Sequence, residues 1–194
     1  MIDPSIPRPL QDIVERELES DERVEWIEMP RRVFFTPVAT AAFLFAIPWT
    51  AFALFWTAGA AGFKVPDFNR GVDLFPLFGM PFILIGLGML SAPLWAYLRA
   101  GKTVYVITNR RAITFDGGWS KTTIRSYPPE DLKDTYRKEK QDGSGDVILA
   151  RRAWRDSEGD RHAEELGFLR IADVKGVERR LKHLAQQGAH SERR

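Results

Sequence analysis

The chain contains no cysteine. That absence excludes disulfides, thiolate nucleophiles and cysteine-ligated zinc or iron–sulfur sites. Histidine is nearly as scarce, at three residues. His162 is followed by Glu164 and Glu165, but the His-Glu-x-x-His spacing of a zinc hydrolase is missing. No glycine-rich phosphate loop occurs, and Ser91 has no His or Asp at comparable depth in its apolar surroundings to activate it. Two acidic strings, Asp142 to Asp146 and Asp156 to Asp160, resemble calcium loops only superficially. They lack the glycine and terminal-glutamate spacing of a helix–loop–helix site and read as turns. The sequence therefore predicts a protein that is not an enzyme and carries no metal or cofactor.

Charge is also missing, from two long stretches. No charged side chain occurs from Val33 to Phe63 or from Leu74 to Leu98. Each run exceeds the roughly 20 apolar residues that cross a ~30 Å hydrocarbon core. Burying two such runs in a soluble core would need a larger and less polar domain than the rest of the chain supplies. The expectation is a transmembrane hairpin, with helix 1 over 33–63, a polar loop over 64–73 and helix 2 over 74–100. The first run is too long for a signal peptide and follows an acidic segment, so it reads as an anchor. Neither run carries an ionisable group, which argues against a pump or channel.

Lys64 and Arg70 lie in the loop, whereas Arg31, Arg32, Arg99, Lys102, Arg110 and Arg111 lie in the outer flanks. Positive flanks favour the cytoplasmic side, so both termini are expected there. Small residues recur four apart at Ala42 and Ala46, Ala58 and Gly62, and Gly88 and Ala92, a spacing that lets helix backbones approach. Trp95 and Tyr97 fit an interfacial belt. Net charge is uneven. Residues 1–32 carry nine acids against five bases, while residues 101–194 carry twenty bases against fifteen acids.

Outside the apolar runs the periodicities change. Pro9 to about Ser20 reads as a short helix with Leu10, Ile13, Val14 and Leu18 recurring at helical spacing. Arg23 to Met29 reads as a strand ended by Pro30. After helix 2 the period is two: strands are predicted over 103–108, 111–115, 120–127, 132–140, 146–154 and 162–171. Asn109-Arg110, Asp116 to Gly118, and Gln141 to Gly145 mark the turns. Asp173 caps a helix from Val174 to about Gln187, ended by Gly188. The expected fold is α+β: the two-helix hairpin plus an antiparallel curled sheet with a C-terminal amphipathic helix. The cytoplasmic parts are 1–32 (helix and strand) and 101–188, with 189–194 a disordered tail. If the 23–29 strand joins that sheet, the hairpin is an insertion within one domain.

Four motifs occur in order. The first is Leu18, Glu22, Trp26 and Pro30. The second is Tyr105 to Arg111, and the third is Gly143, Gly145, Asp146 and Val147. The last is Gly167, Phe168, Ile171, Val174, Val177 and Glu178. Their order around an apolar hairpin resembles bacterial membrane proteins with a pleckstrin-homology-like domain. That resemblance implies a PH-like barrel with a C-terminal helix and implies no particular activity. The strand after Asp146 departs from the pattern, being long and basic.

Two basic groups are the candidate contacts. Arg110 and Arg111 at a strand turn, with Arg99 and Lys102 nearby, could fork around phosphate. Equally, Arg110 is solvated and Arg111 pairs with an acid such as Asp116 or Asp146. Arg151, Arg152 and Arg155 with Trp154 form the densest basic–aromatic group, able to meet anionic headgroups or an acidic partner, or else to guard a strand edge. Nucleic acid is not expected, since no groove-reading motif occurs. The resulting expectation is a bacterial inner-membrane, two-pass protein, anchored in the bilayer. Its PH-like module would present a basic surface to anionic lipid headgroups or protein partners. The alternative is an accessory or assembly subunit that meets a membrane-protein partner, or a second copy, through its hairpin.

Overall fold

One compact unit of the chain is discontinuous in sequence: Met1–Arg31 joins Arg99–Arg194, and the intervening Arg32–Leu98 forms a unit of its own. The computed structural model describes residues 6–63, 76–118, 121–155 and 161–191.

In the discontinuous unit, α1 (Arg8–Glu17) is followed by β1 (Val24–Glu28). After the second unit come β2 (Thr103–Thr108), β3 (Ala112–Gly117) and β4 (Thr122–Tyr127). These four strands form one antiparallel sheet in the order β1-β2-β3-β4. The strand that precedes the apolar runs therefore does pair with the sheet that follows them. A 3₁₀ turn at Pro129–Leu132 leads to β5 (Tyr136–Glu139), so the single strand expected over 132–140 is shorter than the sequence suggests. Pro128 and Pro129 force that turn, because neither can donate to a ladder. β5, β6 (Gly145–Arg155) and β7 (Arg161–Ile171) make a second antiparallel sheet, and α5 (Val174–Ser191) ends the fold.

Every residue of β2 is buried, on both faces. The reason is alternation. Tyr105 and Ile107 point into a core shared with Val147, Leu149 and Phe168 of the second sheet and with Val174, Val177, Leu181 and Leu184 of α5. Val104 and Val106 point the other way, with Ile113 and Phe115, and α1 covers them with Leu10 and Val14. A bulge between Val24 and Trp26 lets β1 serve both faces: Val24 and Ile27 join the outer cluster while Trp26 faces inward.

α5 begins as expected, with Asp173 accepting the Gly176 amide at 2.9 Å. It does not stop at Gly188 but runs through it to Ser191. A Cβ at Gly188 would collide with Pro129, so this glycine permits close approach rather than a helix stop.

In the second unit, α2 (Pro37–Ala60) is a helix of 24 residues with Thr36 capping the Ala39 amide. It is the described helix long and apolar enough by itself to cross a membrane. The continuous helix expected over 74–100 is instead a 3₁₀ turn at Pro76–Gly79, α3 (Met80–Leu90) and α4 (Ala92–Ala100), bent by 43°. Pro93 cannot donate to the preceding turn, and Ser91 Oγ donates to the Gly88 carbonyl at 2.6 Å, which together open the helix. α2 and α3 run antiparallel, with Thr50 opposite Gly86 and Thr57 opposite Gly79; a Cβ at either glycine would strike the threonine hydroxyl. The expected contact glycine, Gly88, has open space around it. Phe45, Phe52, Phe55, Leu84 and Ile85 are exposed along this pair.

Candidate anion-binding surface

The Thr108–Arg111 turn is held by the segment before the hairpin. Asn109 Oδ1 accepts the Arg23 amide at 2.8 Å, extending the β1–β2 pairing into the turn. Thr108 Oγ1 accepts the amides of Arg110 (3.1 Å) and Arg111 (3.0 Å) and donates to Glu22 Oε1 at 2.8 Å. Arg111 grips Glu22 with Nε and an η nitrogen, both at 2.9 Å. The η nitrogens also donate to the Glu17 carbonyl (2.9 Å) and Ser126 Oγ (3.3 Å), and the guanidinium forms an ion pair with the Glu17 carboxylate (3.5 Å). Four hydrogen bonds and a further ion pair thus hold the guanidinium against groups of its own unit rather than toward a phosphate. The partner acid is Glu22, not Asp116 or Asp146.

The Glu22 side chain is 0% exposed. Burial pushes its carboxyl up, but the Arg111 guanidinium, the Glu19 amide and the Thr108 hydroxyl outweigh this and hold it down to about 2. Arg110 lies outside this cluster, 47% exposed, with an ion pair to Glu19 at 2.7 Å.

The other motif residues are also joined to one another. Trp26 stacks on Phe168 at 5.5 Å, and Tyr105 stacks on Phe168 at 4.9 Å. Asp146 Oδ1 accepts the amide of Arg170 at 2.8 Å, and Arg170 has a left-handed φ of 56°. That carboxylate fixes a strained backbone position. Gly167 lies so close to the Val147 carbonyl that any Cβ would collide with it. Asp142 accepts the Ser144 amide and hydroxyl, as a turn does; Asp156, Glu158 and Asp160 lie outside the described residues.

Arg151 and Arg152 lie where β6 and β7 extend past β5 as a two-stranded ribbon, opposite Glu165 and Glu164 in the register. Arg151 bonds Glu165 (3.3 Å) and the Tyr136 hydroxyl (3.0 Å) and lies over the Tyr136 ring. Arg152 is exposed. Trp154 and Arg155 continue the strand; their side chains lie outside the described residues. Arg99 and Lys102 are exposed at the entry to β2, where the Arg99 carbonyl accepts the Lys102 amide at 2.9 Å. The expected basic residues are therefore dispersed over separate parts of the unit, and Arg110, Arg111 and Arg151 face acids.

A denser positive site lies elsewhere. Arg137 of β5 and Lys175, Arg179, Lys182 and His183 of α5 line an open cleft of about 340 Å³ with Glu178 and Gln186. Glu178 bonds the Arg137 guanidinium and accepts from Lys182 Nζ at 2.8 Å. Burial pushes the Glu178 carboxyl up, but Lys182 and Arg137 outweigh it and hold it below the usual range. One acid thus anchors two cations, and among the described residues Lys175 and Arg179 have no ion pair.

No family model matches the chain. No curated protein matches it either. A solved structure similar to part of it is a DUF1696 family protein with a pleckstrin-homology domain from Shewanella loihica PV-4. The identity is 20%, over 43% of this chain and 70% of that one, with a TM-score of 0.29. A likeness that slight carries nothing over to this chain.

Of the cleft residues, only Glu178 belongs to a motif. The signal for the rest was present as cations at 175, 179 and 182, one stripe at helical spacing. It is easily taken for an ordinary solvated helix face.

Proposed function

We propose that this protein is a membrane-anchored, non-catalytic interaction module: a PH-like domain interrupted by a transmembrane hairpin. The observation that carries the reading is the adjacency of β1 and β2. The chain leaves the domain just after β1 and re-enters it just before β2, and these strands are paired, Glu28 with Tyr105. A pair of apolar helices inserted between neighbouring strands can enter a bilayer and return without disturbing the sheet. The apolar side chains exposed along α2 and α3 support lipid as their surroundings, because in water a patch of that extent would be an aggregation liability. Four-plus-three antiparallel strands closed by a C-terminal helix support the PH-like reading.

Lys and Arg in the flanks favour a cytoplasmic domain at a bacterial inner membrane. There the domain would present basic surface to anionic headgroups or a protein partner, and tethering raises the effective concentration for such contacts. Such contacts through charge weaken as salt rises. Full-length protein in nanodiscs should therefore lose its captured partners between low and high salt. Retention at 1 M salt would count against a charge-based surface. It would favour the second reading, an accessory subunit that docks through the hairpin. Gly88 speaks for that reading: it is exposed, and open space around it would admit another helix.

A further inference from the structure

The stripe on α5 breaks local rules. Lys175, Arg179 and Lys182 stand at i, i+4 and i+7, so like charges lie one above another on the helix. Such pairs destabilise a helix rather than support it. Lys175 also sits in the first turn of α5, where the helix dipole disfavours a cation. Arg137 is brought to the same place from β5 by Glu178. Four cations line one cleft with a single lining carboxylate, Glu178, shared by Arg137 and Lys182; Arg137 also pairs with Glu139 (2.7 Å), so the cations without an acid among the described residues are Lys175 and Arg179. The Glu178–Lys182 pair at i, i+4 offsets part of the helix penalty, but Lys175 and Arg179 have no such partner among the described residues, and a local penalty left uncompensated there points to a ligand.

Position within the domain narrows the ligand. The start of α5 lies at the end of this unit from which the chain leaves for the apolar helices. There the Val174 amide donates to the Gly143 carbonyl (3.3 Å), and Arg31 pairs with Asp142 (3.3 Å). The Arg31 amide donates to the Arg170 carbonyl (2.8 Å), and Glu28 accepts the Ala172 amide (2.8 Å). Arg31 is the last residue of this unit before the apolar segment. Lys175, next to Val174, thus starts the cationic stripe at the end of this unit that holds Arg31.

We propose that the β5/α5 cleft binds the phosphate of an anionic lipid headgroup, with Lys175 and Arg179 as its contacts and Glu178 as the residue that positions Arg137 and Lys182. This rests on the membrane-anchored reading above and assigns that surface to residues other than the strand turn and the β6 ribbon.

The test uses the full chain in neutral detergent, titrated calorimetrically with dihexanoyl phosphatidylglycerol and, separately, dihexanoyl phosphatidylcholine. The expected result is at least tenfold tighter binding of phosphatidylglycerol. Lys175→Glu with Arg179→Glu should abolish that preference, because each well-placed cation contributes several-fold to attraction by an anionic surface. Both residues are exposed, and the change relieves repulsion along α5, so the variant should unfold no earlier than the parent. Arg110→Glu should leave the preference intact. Equal binding of the two lipids, an unchanged preference in the double variant, or full competition by equimolar inorganic phosphate would each overturn the assignment. Extraction of cell membranes with alkaline carbonate is read in parallel. A chain that is extracted but still prefers phosphatidylglycerol loses the anchor and keeps the cleft; one that stays without preference keeps the anchor and loses the cleft.

Discussion

Replacing Arg111 by alanine should cost the discontinuous unit about 3 kcal/mol. Glu22 is the reason. Its side chain is fully buried, and its carboxyl is held at about 2 against an ordinary 4.5. That difference corresponds to about 3 kcal/mol of preference for the charged form in the folded protein. The Glu19 amide and the Thr108 hydroxyl would survive the change and retain part of it. Leaving a buried carboxylate without its counter-charge is nevertheless expected to cost about 3–5 kcal/mol. For a domain of this size the midpoint should fall by on the order of 10 °C. The assay is thermal unfolding of the full chain in neutral detergent, followed by near-ultraviolet circular dichroism. Arg110→Ala is the internal comparison: its pair with Glu19 is half exposed, so its loss should cost no more than about 1 kcal/mol. Acid supplies a second reading. A depressed carboxylate contributes stability that is complete above pH 4.5 and is lost as pH falls toward 2. Glu22→Gln should flatten that part of the profile. An Arg111→Ala midpoint within experimental error of Arg110→Ala would refute the reasoning, since the pair would then be behaving as a surface contact.

The remaining predictions concern packing. Trp26→Ala removes the ring that stacks on Phe168 and should destabilise by about 3 kcal/mol, read by denaturant unfolding. Gly167→Ala forces a methyl against the Val147 carbonyl and should lower the yield of folded protein, whereas alanine at the uncrowded Gly88 should not. In the apolar unit, Thr50→Cys with Gly86→Cys should form a disulfide on mild oxidation. The chain has no other cysteine to interfere, and absence of cross-linking would contradict the α2/α3 pairing.

Much of the sheet was legible because period-two alternation is a local signal: β2 occupies the predicted residues, and the other strands fall within a few residues of theirs except β5. The motifs were legible as residues but not as a purpose. Glu22, Thr108 and Arg111 form one hydrogen-bonded cluster, and Trp26, Tyr105 and Phe168 form one aromatic stack. Each set spans the inserted hairpin, so the motifs that stand out in the sequence hold the domain closed around its insertion. No short-range pattern reveals that Arg111 belongs to an acid 89 residues earlier rather than to Asp116 nearby. Gly188 misleads for a related reason: a glycine near a helix end signals a stop unless a distant Pro129 needs the space. The α5 stripe had a local signal, but its significance depends on Arg137 arriving from another element.

The most direct test is the sidedness of the domain and its insertion. Single cysteines at Arg8, Asp67 and Glu130, introduced into the cysteine-free chain, would be exposed to a membrane-impermeant maleimide in intact spheroplasts. A hairpin inserted between β1 and β2 predicts labelling of Asp67→Cys in intact cells, and of Arg8→Cys and Glu130→Cys only after permeabilisation. Labelling of all three, or of none, in intact spheroplasts while the chain is released by alkaline carbonate would contradict it.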